Sequence, residues 1–156
     1  MTSSARTGGT QYLETLLGYN AHRAALTLVD GFTQSMAPFA LRTVDFSVLS
    51  VIHHQPGVTS RQLCQQLFVL PPNMVVILRQ LEERGLIERH PHPTDRRAIG
   101  LSLSTEGMRL IETAEQKAFA ADLNASSSLS ATERKTLARL LQKIYLHTRS
   151  KIPAAP

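Results

Sequence analysis

Asp95, Arg96 and Arg97 stand in a short polar loop, Pro91-His92-Pro93-Thr94-Asp95-Arg96-Arg97, between two stretches that alternate apolar and polar residues. Alternation at period two marks half-buried strands. The pattern predicts a hairpin over Leu86 to His90 and Ala98 to Leu103 with two guanidinium groups at its tip. Cations on a slim projection suit a narrow minor groove of negative potential; an ordinary solvated loop has the same composition. A second polar set precedes the hairpin. Met74, Ile77, Leu78 and Leu81 recur at helical spacing, so that stripe is predicted to be buried. Asn73, Val76, Arg79, Gln80 and Glu83 then face outward, with Pro72 and Val75 near the helix start. Asn and Gln pair bidentately with adenine and Arg with guanine, and a valine suits a thymine methyl. A plain surface valine at position 76 fits equally well. Thr59, Ser60 and Arg61 open another short helix, where N–H groups and a hydroxyl suit a phosphate. Thr59 and Gln62 also form a capping-box pair, which gives Thr59 a structural role in any case.

Other chemistries find little support. No Ser/His/Asp set, phosphate loop or metal-ligand cluster stands out, so no enzyme activity and no cofactor are expected. The single cysteine, Cys64, excludes an internal disulfide and falls on a predicted core face, which favours an inert buried thiol. His53-His54 and His90-x-His92 lack a neighbouring cysteine or carboxylate cluster, so no metal is expected at either pair.

The elements that position these residues are mostly helices. Gln11 to about Met36 reads as one long helix whose apolar surface exceeds a single stripe, with Leu13, Leu17, Ala21, Ala24 and Leu28 in line and Leu16, Tyr19, Leu26 and Phe32 beside them. A lone surface helix is narrower in its apolar face, so burial against a second subunit is the simplest account. Pro38 ends it. Val44 to about His54 is a second helix with Thr43 as its expected N-cap, and Pro56-Gly57 a turn. Gly85 fits a left-handed C-cap, Ser104 caps a helix to about Asn124, and Ser130 to Glu133 starts a last helix ending near His147. On that helix Leu137, Leu140, Leu141 and Ile144 are expected to face inward, leaving Arg134, Lys135, Arg139 and Lys143 as a solvated face.

The 156 residues suffice for one domain with a real core, at 42% hydrophobic. No apolar run approaches the ~20 residues of a membrane span, and Met1 to Thr10 lacks a signal-peptide stretch, so a soluble cytoplasmic protein is the expectation. The net charge of +5 allows a polyanionic partner, and the whole basic excess lies beyond residue 58.

Helix, short helix, helix and hairpin in this order is the winged helix-turn-helix arrangement. Phe46 to Ile52, Thr59-Ser60-Arg61-Gln62-Leu63, Leu81-Glu82-Glu83-Arg84-Gly85-Leu86-Ile87-Glu88-Arg89, the pair Asp95-x-Arg97 and Leu103-Ser104-Thr105-Glu106-Gly107 together resemble the MarR family of bacterial transcription regulators. The resemblance covers residues 41–112; the terminal helices match in length and character only. It implies a mainly α fold with a small β-hairpin wing, with dimerisation elements at 11–42 and 105–150 and a DNA-binding lobe at 43–104; composition adds a disordered Ser/Thr/Gly-rich tail at 1–10 and a Pro/Ala-rich tail at 151–156. It implies a homodimer on a pseudo-palindromic operator of double-stranded DNA, with Arg97 in the minor groove and Asp95 holding it by a salt bridge. It further implies repression relieved by a small aromatic carboxylate or phenolic effector bound where the long helix meets the DNA-binding lobe. Tyr19, His22, Arg23, Phe46 and His53 are the candidates for that pocket: Arg23 for a carboxylate, Phe46 or Tyr19 for a ring, a histidine for a hydroxyl. Arg23 alongside a dimer interface and His22 as a packing residue are equally consistent. Departures from the family are Val76, where a polar or basic residue is usual, and Cys64, where a small residue is usual. A winged helix that serves only as a protein-interaction module is the competing reading.

Overall fold

The computed structural model describes residues 9–149 apart from Pro93 and Arg96, with the side chains of 147–149 left aside. The expectations for most of the N-terminal tail, for Arg96 and for the C-terminal tail lie outside the described residues. Thr10, placed in that tail from sequence, belongs to the first turn: its carbonyl accepts the Glu14 N–H at 3.0 Å and its hydroxyl donates to Glu14 Oε1 at 2.9 Å.

The chain runs through α1 (Leu17–Met36), α2 (Thr43–His54), β1 (Val58–Thr59), α3 (Ser60–Leu67), α4 (Pro71–Glu83), β2 (Ile87–Pro91), β3 (Ile99–Leu103), α5 (Thr105–Ala125) and α6 (Ala131–Arg149). The fold is mainly α with a three-stranded antiparallel sheet in the order β1-β3-β2. Leu49, Ile52, Leu63, Met74, Leu78, Leu81, Leu101 and Ile111 are almost fully buried in one core, to which α2, α3, α4, β3 and α5 all contribute. The stripe Met74, Ile77, Leu78 and Leu81 is buried as its spacing requires.

Several boundaries differ from expectation for local reasons. The first helix starts at Leu17, because Leu16 is extended after a 3-10 turn over Leu13–Thr15. A second 3-10 turn, Ala37–Phe39, carries Pro38. β1 is too short to show alternation; it forms because Val58 pairs with Leu101 and Thr59 with Gly100. Gly100 permits this approach, since a Cβ there would stand 3.2 Å from the Gly57 carbonyl oxygen. Arg42, not Thr43, is the N-cap of α2. The donor left over at the helix start is satisfied from the third helical position, where Asp45 accepts the Arg42 backbone N–H at 3.1 Å.

Asp45 is the one buried charged residue of the described core, at 5% exposure. Arg42 donates to both its oxygens from Nε and Nη2 at 2.8 Å each. Burial pushes this carboxyl up, but the side-chain and backbone hydrogen bonds of Arg42 and the charges of Arg42 and Arg84 outweigh it, so it lies below the ordinary carboxylate value. A lowered folded value means the stabilisation is complete above the unfolded carboxylate range, about 3.9, and is lost as pH falls through the folded value. Because the Arg42 side chain is 59% exposed, the pair is discounted for solvent screening. Asp45→Asn is expected to reduce stability by about 1–2 kcal/mol at neutral pH, and by less at pH 3; urea unfolding at both pH values checks this.

α1 packs chiefly along α5, whereas α6 makes no extensive contact with the described elements. Leu137, Leu140, Leu141 and Ile144, expected inward, are 37–58% exposed in the protomer, where no described element packs extensively on α6. Leu16, Leu17, Leu26 and Val29 on and before α1 are likewise exposed. No single described helix is long and apolar enough to cross a membrane.

Candidate nucleic-acid interface

α3 and α4 are joined by a turn of Phe68, Val69 and Leu70. Phe68 takes a left-handed conformation (φ 55°) that stops α3. Pro71 and Pro72 then open α4, where their missing N–H groups leave no helical bond unmade. The cap of α3 is the expected reciprocal one: Thr59 N–H donates to Gln62 Oε1 at 2.8 Å, and Gln62 N–H to Thr59 Oγ1 at 3.3 Å. That hydroxyl is therefore committed to the cap. Ser60 and the exposed Arg61 follow in the first turn, and Arg61 joins none of the ion pairs among the described residues.

Pro72, Asn73, Val76, Arg79 and Gln80 are all exposed on α4, with Val75 beside them. Two are already engaged. Arg79 Nε stands 3.7 Å from Glu83 Oε1, a loose exposed pair that yields readily to a base or phosphate. Gln80 Oε1 accepts from Arg42 Nη2 at 3.0 Å. Gln80 therefore belongs first to the lobe's own Arg42–Asp45 network, and reading a base requires it to release Arg42. Nearby, Arg84 donates to the carbonyls of Phe39 and Ala40, tying the end of α4 to the connection before α2.

The wing is the β2–β3 hairpin, in register from Ile87 opposite Leu103 to Pro91 opposite Ile99. Its tip is closed by His92 N–H to the Ala98 carbonyl and Ala98 N–H to the Asp95 carbonyl, both 3.0 Å. Asp95 Oδ1 accepts the backbone N–H of Arg97 at 3.0 Å. This corrects the role inferred for Asp95: no Asp95–Arg97 ion pair is present, and the carboxylate fixes the backbone of the turn that carries Arg97. An aspartate two residues ahead is well placed for this because its short side chain reaches the N–H at i+2.

The base of the wing and the start of α3 line one open hollow of about 640 Å³, with Ser60, Arg61, Arg89, His92 and Asp95 on its walls. Sequence reasoning did not single out Arg89. The signal was present: Ile87 is buried on β2, so Arg89 two residues on shares its alternation, yet its side chain reaches the surface and pairs with Glu82 at 3.0 Å. Cys64, expected as a buried thiol, is only half-buried, and that partial burial raises its thiol above the ordinary value. The basic run of α6 begins with a structural residue, since Arg134 donates to the Leu129 and Ser126 carbonyls.

The five residues proposed for an effector pocket do not converge within the protomer. Tyr19 and Arg23 line a hollow of about 590 Å³ with Thr10, Glu14 and Asn20. His22 is exposed on α1. Phe46 turns instead onto Phe32, edge to face with ring centroids 5.0 Å apart. His53, at the end of α2, faces Glu115 of α5. The resemblance placed them together where the long helix meets the DNA-binding lobe, whereas Phe46 meets α1 at Phe32, about 13 Å further along the helix than Arg23 at 1.5 Å per residue.

A capped short helix, a following helix with an exposed polar face, and a hairpin with a cationic tip define a winged helix-turn-helix DNA-binding protein. Comparison with known proteins agrees. The model of the MarR family matches residues 41–98. A putative transcriptional regulatory protein for the hcr operon of Thauera aromatica is 32% identical over 130 residues, covering 83% of this chain and 78% of that one. The transcriptional repressor CouR bound to a 23-mer DNA duplex superposes with a TM-score of 0.80 at 31% identity, covering 91% of this chain and 99% of that one. CouR from Rhodococcus jostii RHA1 bound to p-coumaroyl-CoA gives 0.79 at 26% identity, covering 94% and 99%. The chain belongs to the MarR family, whose members are DNA-binding transcription regulators and not enzymes.

Proposed function

We propose that this protein is a homodimeric repressor that occupies a pseudo-palindromic operator and leaves it when an aromatic acid, or the coenzyme A thioester of one, binds. The observation that carries the dimer is α6, whose Leu137, Leu140 and Leu141 stay 37–46% exposed and against which no described element packs extensively, together with the exposed apolar start of α1. Joining two such faces removes both from water, which is the main favourable term in association. In this reading 11–42 and 105–150 are the dimerisation region and 43–104 the DNA-binding lobe. Two-fold symmetry then places the two lobes on half-sites about one helical turn apart, roughly 34–36 Å.

Within each lobe, Asn73, Val76 and Arg79 read base edges in the major groove, with Pro72 at the helix start and Gln80 contributing after releasing Arg42. Ser60 and Arg61 hold a phosphate at the helix start that the Thr59 cap positions, and Arg96 and Arg97 enter the flanking minor groove from a tip shaped by Asp95. An effector ring and carboxylate suit the hollow beside Tyr19 and Arg23, with His22 on the same helix; the aromatic thioester bound by CouR supports that chemistry.

Sequencing the fragments that the purified protein retains from genomic DNA tests the operator; an inverted repeat is expected, and sequence-indifferent retention would exclude a specific operator. Hydroxybenzoates, hydroxycinnamates and their coenzyme A thioesters are then screened for release. With a releasing compound in hand, Arg23→Ala is expected to raise the concentration for half-release by about tenfold, the loss of one charge-assisted contact. Wild-type release by both Arg23→Ala and His22→Ala would remove the hollow from the account.

A further inference from the structure

His53 and His54 close α2, and Glu115 lies near the middle of α5, 61 positions beyond His54. As a sequence pattern the histidine pair is a weak metal signal because it lacks a carboxylate. The fold supplies one. Glu115 Oε1 stands 3.0 Å from His54 Nε2 and Oε2 stands 4.0 Å from His53 Nδ1. The imidazoles are stacked, centroids 4.7 Å apart and planes within 5°, so both present their edges to the same carboxylate. One ligand atom from each of the three residues lies within 4.8 Å of the others, the only such grouping of His, Cys, Asp or Glu among the described residues. Ser50 Oγ donates to Glu115 Oε1 at 2.7 Å and orients it. His53 Nδ1 is buried and makes no hydrogen bond. An exposed His54–Glu115 pair accounts for part of this arrangement but leaves that buried nitrogen without a role.

We propose that His53, His54 and Glu115 form a three-ligand site for a divalent transition ion of the zinc class. Two imidazoles and a carboxylate are a recognised donor set for such an ion, with a fourth position left to water. Ser50 is the second-layer hydrogen-bond donor that ligating carboxylates ordinarily carry. Zinc bonds of about 2.0–2.2 Å set neighbouring ligand atoms roughly 3.3–3.5 Å apart. The widest pair must therefore close by about 1.5 Å, which rotation of the largely exposed His54 side chain and of Glu115 can provide. The ion would bridge α2, in the DNA-binding lobe, to α5, which packs along α1, and so fix the lobe against the helices that carry it.

The experiment uses the full-length protein stripped with a chelator. Zn2+ is titrated in competition with a chromophoric chelator, and Co2+ in parallel for its visible spectrum. One ion per protomer is expected, with a four- or five-coordinate Co2+ spectrum and a Zn2+-dependent rise in the thermal midpoint, since a ligand of the folded state stabilises it. His54→Asn and Glu115→Gln are each expected to lower affinity by more than about 100-fold, beyond the loss for an outer-layer partner. His54 is exposed, so its variant folds whatever the effect of the other. A His90→Ala, His92→Ala double variant is expected to bind as wild type. Absence of stoichiometric binding, wild-type affinity in either ligand variant, or loss of binding in the His90/His92 variant would each overturn the site.

Discussion

Arg97→Ala is expected to weaken operator binding by about 100-fold while leaving the fold and the dimer intact. Each wing loses one charge-assisted contact, conservatively about 1.5 kcal/mol, and a dimer has two wings; some 3 kcal/mol is about a hundredfold. Removing one phosphate-neutralising cation per wing also lowers the slope of log K against log salt by about one for each protomer. Stability is unaffected because Arg97 is exposed at the tip and no described side-chain partner holds it. Asp95→Ala acts differently. It frees the Arg97 backbone N–H and loosens the turn, so affinity falls less and the salt slope stays near wild type, the cation being still present. Fluorescence anisotropy across a salt series separates the two. A folded Arg97→Ala dimer with wild-type affinity would remove the wing from the DNA interface.

Gly107→Ala is expected to destabilise the protein by about 3 kcal/mol or more, the upper range for overpacking in a rigid site. Helix propensity alone argues the opposite, since alanine is favoured over glycine by about 1 kcal/mol within a helix. Packing decides the sign. A Cβ on Gly107 would stand 2.0 Å from the Leu86 carbonyl oxygen and 2.9 Å from its carbon, both backbone atoms that no rotamer change can move. The same carbonyl accepts the Ser104 N–H at 3.0 Å, and Ser104 Oγ donates to the Gly85 carbonyl at 2.6 Å. Relieving the clash therefore means pulling the start of α5 away from the strand that opens the wing. Urea unfolding checks it: a midpoint at or above wild type would show that α5 shifts without penalty.

The parts of the fold legible in the sequence are those written in local pattern. The buried stripe of α4, the Thr59–Gln62 and Ser104 caps, the left-handed Gly85 and the existence of the two hairpin strands all follow from spacings of a few residues, although burial along the strands does not strictly alternate. What escaped depends on distant partners. β1 exists only through β3. Asp45 draws no notice in the sequence, because the Arg42 and Arg84 groups that hold its buried carboxylate are set around it by the fold. Gln80 reads as a free amide until Arg42 is found on it. The Asp95 carboxylate was legible as a wing residue, but its partner proved to be a backbone N–H. His53 was assigned to an effector on the strength of its helix, whereas the residue it faces, Glu115 of α5, stands 62 positions later in the chain. The apolar side chains of α6 were legible as an inward face from their spacing, but the protomer leaves them exposed, and in the proposed dimer a second subunit covers them.

In the proposed function a two-fold symmetric repressor sets one winged lobe on each half-site. The most direct measurement is the stoichiometry and affinity of the full-length protein on a duplex carrying the selected inverted repeat, compared with the same duplex lengthened by five base pairs between the half-sites. A turn of DNA is about 10–10.5 base pairs, so the insertion rotates one half-site to the opposite face. Two protomers per duplex, with affinity lost on the lengthened duplex and restored by an insertion of ten, is the expected result. One protomer per duplex, or equal affinity for all three spacings, would contradict it.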